Sequence, residues 1–179
     1  MSRAMDNLID KWLDLPEPDY ALLRRYGISF SAAQIVGGVR AAKDGRLILP
    51  VFDDPPSIYR SVEDPVLLAL LAFDPADPDR WTLWPEGFAV MLGEAALREA
   101  RYYNEPFLVY RNPLNWLRAG GGGVMPLDWP AFVRAVLWTP EIELVAEDLK
   151  LGNEIERQVD AALRCGKPHI SVEIKRAAA

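Results

Sequence analysis

From Phe107 to Ile174 the sequence alternates short apolar runs with helix-like segments, and this constrains the fold more than any other feature. In order, the units are strand Phe107–Tyr110, helix Pro113–Ala119, strand Val124–Leu127, helix Pro130–Leu137, strand Ile142–Ala146, helix Asn153–Cys165 and strand His169–Ile174. Strands that alternate with helices imply a parallel sheet joined by right-handed crossovers. The last helix is the best marked: Ile155, Val159 and Leu163 recur at four-residue spacing, while Glu154, Glu156 and Arg157 face water. Gly166 supplies its stop and Pro168 prevents continuation.

The first hundred residues carry a different pattern. Leu22, Leu23 and Tyr26 mark a helix that Gly27 ends, and a second helix starts at Ser29 or Ser31 and stops at Gly37-Gly38. Ser31 with Gln34 has capping-box spacing. The pair resembles a helix-turn-helix in outline, but its second helix lacks a basic, base-reading face, so a small helical collar is the expectation. Strands follow at Arg46–Phe52, bounded by turn residues on both sides, and at Val66–Phe73, apolar throughout. Asp74–Asp79 (D-P-A-D-P-D) has the composition of a rigid loop, and it lacks the glycine and terminal glutamate of an EF-hand. Trp81–Leu83 and Phe88–Leu92, with Gly87 in the turn, are expected to complete an antiparallel sheet, and Ala95–Tyr103 a helix. The fold class is therefore α/β. An N-terminal α+β subdomain of short helices and antiparallel strands (1–100) precedes a parallel sheet flanked by helices (101–179).

Charge narrows the partners. Against a formal net charge of -6, residues 101–179 hold 10 basic and 10 acidic side chains, so the excess acids lie in residues 1–100. A general duplex-binding surface is disfavoured, since such affinity rests on Lys and Arg neutralising phosphates; a local polar groove in the second half stays open. Cys165 is the only cysteine, so no intrachain disulfide forms. With no signal-like opening and no apolar run longer than Pro65–Phe73, the expectation is a cytoplasmic protein with no membrane association.

In a parallel α/β sheet, chemistry collects at the C-terminal ends of the strands. The elbow F-L-V-Y-R-N-P-L-N-W-L at Phe107–Leu117 has this layout, but carries Arg111, Asn112 and Asn115 where acids would serve catalysis. The next strand ends bring Asp128 and then Glu147-Asp148. Converging carboxylates suit Mg²⁺, whereas an acid just before a helix also caps it; Asp128 is expected to cap, and for Glu147 and Asp148 both roles stay open. His169 starts the last strand, away from this edge, and Cys165 sits at a helix C-terminus that opposes thiolate formation. The Gly120–Gly123 run precedes a strand, not a helix, so it is a connection and not a phosphate loop.

On these residues the second half resembles a Toprim domain, the metal-binding fold of primases, topoisomerases and related nucleases, in the version found in primase-helicases of phages and mobile elements. R-N-P-L-N-W-L at Arg111–Leu117 has the spacing of the family's E-G-P-L-D-A-L motif, and Glu147–Gly152 that of its D-x-D-x-x-G motif. The upstream L-R-R-Y-G-I-S, L-I-L-P-V-F and F-A-V-M-L-G are similar to the segments that precede Toprim, so the likeness spans roughly residues 20–174.

The departures are as informative as the matches. The resemblance puts Arg111 at the family's first glutamate, Asn115 at the following aspartate, and Glu147 and Leu149 at the two aspartates of D-x-D. It therefore implies a Toprim-like frame in which Glu147 alone keeps a carboxylate, Asp148 is displaced by one position, and the other metal-binding acids are replaced. The expected protein is non-catalytic, needs no cofactor, and binds through a polar edge of Arg111, Asn112, Asn115, Arg118, Glu147, Asp148 and Lys150. Its expected partner is nucleic acid or a replication or transcription protein. The alternatives are a regulatory factor docking on host or phage machinery, and a residual Mg²⁺-dependent nuclease or primase using Asp128, Glu147 and Asp148. In the resemblance, Arg111 is expected to neutralise Glu147.

Overall fold

The computed structural model describes residues 3–53, 66–84, 89–103, 105–137, 143–164 and 174–176. Along the chain run α1 (Arg3–Leu13), α2 (Tyr20–Arg25), α3 (Phe30–Ile35), β1 (Arg40–Ala41), β2 (Leu47–Phe52), β3 (Leu67–Asp74), β4 (Asp77–Trp84), β5 (Met91–Leu92), α4 (Glu94–Tyr103) and β6 (Phe107–Val109). Then come α5 (Pro113–Arg118), β7 (Met125–Pro126), α6 (Trp129–Leu137), β8 (Leu144–Ala146), α7 (Leu149–Arg164) and β9 (Ile174–Arg176). The chain is mixed α/β and forms two compact units: Met1–Ala89 with Asn112–Gly121, and Val90–Arg111 with Gly122–Ala179. The expectations at Pro55-Pro56, Gly87, Phe88, Cys165, Gly166, Pro168 and His169 lie outside the described residues.

The first unit is built on an antiparallel sheet in the order β1-β2-β3-β4. Alternation divides its side chains, with a register shift between Val51 and Phe52 that sets Leu67 opposite Phe52. Leu47, Leu49, Val51, Ala69, Leu71 and Phe73 point to one face and are almost fully buried. Ile48, Phe52, Leu67 and Leu70 point to the other and receive α1 through Leu8 and Trp12. Asp19 caps α2, accepting the Ala21 N–H at 3.0 Å. That helix closes as the sequence implies: Gly27 takes φ 72°, and the Ile28 N–H reaches back to the Leu23 carbonyl at 2.9 Å. Ile28 and Leu23 are both buried at this joint, the apolar contact that accompanies such a stop. Ser29, not Ser31, caps α3, accepting the Ala32 N–H at 3.0 Å, while the two hydroxyls share a hydrogen bond.

Three sequence expectations need correction here. Helix α1 and strand β1 are additional elements. The rigid loop at Asp74–Asp79 shrinks to a two-residue turn, Pro75-Ala76, because Asp74 Oδ1 accepts the Ala76 N–H at 2.8 Å and Asp77 already pairs with Asp74. Pro78 is tolerated inside β4 because, among the described strands, that strand forms a sheet edge. Finally, Met91–Leu92 does not extend this sheet; it pairs antiparallel with β7 in the second unit.

The second unit holds the parallel strands, in the order β6-β8-β9. The expected strand at Val124–Leu127 divides its pairing: Val124 bridges in parallel to Val109, then Met125-Pro126 turns to β5. Phe107, Val109, Leu144 and Ala146 share a face and are 1% exposed or less. Phe132, Val133 and Val136 of α6 and Leu151, Ile155 and Val159 of α7 join them in one core. The steps β6 to β8 and β8 to β9 run in the same direction across the sheet. Right-handed crossovers then put both helices on one face. Helix α7 begins at Leu149, four residues before the sequence pattern suggested, because Asp148 caps it there.

Candidate functional site

The strand ends of the second unit bring together Arg111, Glu147 and Asp148. Val109 and Ala146 are paired residues of adjacent parallel strands, so the chain leaves both strands side by side and the next residues meet. Glu147 Oε1 accepts the backbone N–H of Arg111 at 2.9 Å. The Arg111 guanidinium extends past it to Asp148, with Nη2 on Oδ1 at 2.5 Å and Nε on Oδ2 at 3.3 Å. Its Nε lies 4.0 Å from Glu147 Oε1. The expected Arg111–Glu147 ion pair is therefore present at 4.0 Å, and Asp148 is a second and closer partner. Glu147 holds the backbone of residue 111, and the two-pronged charge pairing goes to Asp148.

Asp148 does a second job. Its Oδ1 also accepts the Leu151 N–H at 2.7 Å, capping α7. Partial burial pushes its carboxyl up, but the Leu151 N–H and the Arg111 guanidinium outweigh this and hold it below its ordinary 3.8. Tyr110, beside this group, shifts the other way: burial raises its phenol above the ordinary 10.0, and the Glu147 charge adds to the rise.

The remaining predicted residues have surroundings of their own. Asp128 is exposed and caps α6, accepting the Ala131 N–H at 2.9 Å, as its position before Trp129-Pro130 implied. Lys150 lies exposed in the first turn of α7. Asn112, Asn115 and Arg118 belong to the first unit, the division falling between Arg111 and Asn112. Asn112 is 6% exposed; its Oδ1 accepts the Asn115 N–H at 3.0 Å, capping α5, and its Nδ2 donates to Asp79 Oδ1 at 2.8 Å. Arg118 Nε donates to the Tyr26 carbonyl at 2.8 Å, and its Nη1 lies 3.5 Å from Asn115 Oδ1. Among the described residues, no three His, Cys, Asp or Glu side chains come together as a metal site.

Two contributors escape the sequence motifs. Asp79 sits inside a proline-punctuated stretch that looks like solvent-facing loop, and only its pairing into β4 carries it to Asn112. Tyr110 ends an apolar run and reads as strand. Its nearness to Glu147 was implicit in the parallel pairing of the two strands.

Compared with known protein families, curated proteins and solved structures, the chain finds no match. No helix among the described residues is long and apolar enough to cross a membrane. What the arrangement can do is set by its charges. A guanidinium seated against Asp148, with Glu147 close by, supplies the positive charge that a divalent ion would otherwise bring to these carboxylates.

Proposed function

We propose that residues 101–179 are a Toprim-like frame retained for binding rather than catalysis, in a protein of phage or mobile-element type that engages nucleic acid or a replication-related partner. The observation that carries this is Arg111 on Asp148, with Glu147 4.0 Å away. Two-metal phosphoryl chemistry needs several carboxylates free to converge on cations. Here Asp148 is engaged by Arg111 and by the cap of α7, Glu147 by the backbone of residue 111, and Asp128 by α6. This disfavours a residual Mg²⁺-dependent nuclease or primase. Calorimetric titration with Mg²⁺ and Mn²⁺ tests the point: the expected result is no binding in the millimolar range, and a saturable heat would overturn it. Titration with single-stranded and duplex oligonucleotides at low salt tests the nucleic-acid partner. The expected result is binding that weakens steeply with salt; no salt-dependent binding removes nucleic acid as the partner.

A second reading, a protein-docking regulatory factor, is favoured by a separate observation. Tyr102 and Tyr103, at the end of α4, are 82% and 65% exposed and meet edge-to-face at 4.9 Å. Exposed tyrosines are enriched where proteins meet. Tyr102→Ser with Tyr103→Ser should abolish capture of a protein partner while leaving oligonucleotide titrations unchanged; undiminished capture removes this surface from consideration.

A further inference from the structure

The acids of this chain avoid one part of the first unit. Residues 20–43 contain Arg24, Arg25, Arg40 and Lys43 and no aspartate or glutamate, although residues 1–100 carry the whole excess of acid. Residues 112–127 are likewise free of acids and contain Arg118. The fold joins the two segments. Helix α3 packs on α5, and Arg118 Nε donates to the carbonyl of Tyr26, just beyond α2, at 2.8 Å. The Arg25 guanidinium lies over the Tyr26 ring, 5.6 Å from its centroid, so two guanidinium groups flank one residue. Arg24, Arg25 and Arg118 are exposed, and among the described residues none of the three is paired with a carboxylate.

Two aromatic side chains stand open on the same helices. Tyr20 opens α2, one turn before Arg24, and is 58% exposed; Phe30 opens α3 and is 54% exposed. Arginines in a last turn complement the helix dipole, and Arg24, Arg25 and Arg118 all stand in last turns. The dipole does not account for the rest of the pattern. It favours acids in first turns, where α2, α3 and α5 have none, and it leaves two rings in water unexplained.

We propose, on the nucleic-acid reading above but independently of the likeness to Toprim, that this face of the first unit binds single-stranded nucleic acid. The arginines take phosphates, and Tyr20 and Phe30 stack on bases. A guanidinium carries several N–H groups, so the bond from Arg118 to Tyr26 leaves donors for a phosphate while holding the side chain in place beforehand. Every base has a face to offer an exposed ring, which suits a strand bound without sequence preference. A duplex hides those faces. Reading its groove would fall to α3, but that helix is 6 residues long, F-S-A-A-Q-I, with no basic side chain. An acidic protein segment would satisfy the arginines and leave the rings without partners.

Fluorescence anisotropy of a labelled oligothymidylate, titrated with the full chain, tests this surface. Three phosphate contacts predict that log K falls with log salt at a slope of about −2. Arg24→Gln with Arg25→Gln should reduce the slope to about −0.7, and Arg24→Lys with Arg25→Lys should restore it to about −2. Phe30→Ser should weaken binding about tenfold at unchanged slope, since it removes a stacking platform and no charge. Circular-dichroism melts check that each variant is folded, as substitutions at exposed positions should be. If the oligonucleotide binds and the double glutamine variant binds it with the wild-type slope, this surface is overturned while the reading above survives. If the wild-type chain binds no oligonucleotide, both fall. Polyglutamate bound as tightly as the oligonucleotide, with Phe30→Ser affecting neither, would put an acidic protein segment in place of nucleic acid.

Discussion

Replacing Arg111 by methionine keeps an unbranched apolar stem and removes the charge. Glu147 keeps its hydrogen bond, since that comes from the backbone of residue 111, but Asp148 loses both prongs of its pairing. The side chains of Arg111 and Glu147 are 21% and 15% exposed, that of Asp148 47%. A two-pronged charged hydrogen bond contributes about 1.5–3 kcal/mol when shielded. The water around Asp148 reduces this toward the value of an exposed pair, and about 1–2 kcal/mol is the result to expect at neutral pH. For a chain of this size that lowers the melting temperature by about 2–8 °C. The pH dependence has a definite sign. Asp148 is held below its ordinary 3.8 in the folded chain, so its contribution is complete above that value and is lost as pH falls through the lower, folded value. Urea unfolding of wild type, Arg111→Met, Asp148→Asn and the double variant closes a cycle with a coupling of about 1 kcal/mol at pH 7 that shrinks in acid. Wild-type stability of Arg111→Met to within about 0.3 kcal/mol, or a loss that persists unchanged in acid, would refute the clamp.

Three further outcomes follow from the same geometry. Asn112→Ala removes a cap and the donor to Asp79 from a buried position, costing about 2 kcal/mol in thermal or urea unfolding; Asn112→Asp keeps the cap but sets a second carboxylate against Asp79, so its loss should diminish in acid, and a pH-independent loss would contradict that pairing. Tyr110 should ionise above 10.0 in an absorbance titration, and because the unfolded phenol releases its proton first, stability falls as pH rises through 10.0; Tyr110→Phe should lessen that decline, and an unchanged alkaline limb would count against it. Arg111→Glu sets three carboxylates at one edge, destabilising the chain alone but making its melting temperature rise with added Mn²⁺, whereas no Mn²⁺-dependent shift would argue against the Toprim-like frame.

The parts of the fold that were legible in the sequence are those fixed by local chemistry. The alternation from Phe107 onward gives β6, α5, α6, β8 and α7 because each carries its own period and its own stop. Helix α1 is less legible: Leu8, Ile9, Trp12 and Leu13 have helical spacing, but they are few, and the helix is completed by Leu67 and Leu70, more than fifty positions away. The turn at Pro75-Ala76 fails for a different reason. Asp and Pro signal turns generally, and only the pairing of Asp74 with Asp77 shows that the turn is two residues long and that Pro78 belongs to a strand.

The candidate site tests how far spacing alone can go. A carboxylate placed just after a strand and just before a helix offers its oxygens either to a metal ion or to the free N–H groups of the helix, and both uses ask for the same residue at the same position. Asp128 and Asp148 both have that placement; the Trp129-Pro130 that follows Asp128 points to a cap there, whereas nothing beside Asp148 distinguishes the two uses. What separates them is a residue contributed by another strand. Arg111 reaches Asp148 only because β6 and β8 lie in parallel register, with Val109 opposite Ala146. Under the proposed reading, the charge at residue 111 is what distinguishes an edge that gathers a cation from one whose acids are already paired. Exchanging that single side chain between arginine and glutamate is accordingly the most direct test of the proposed reading.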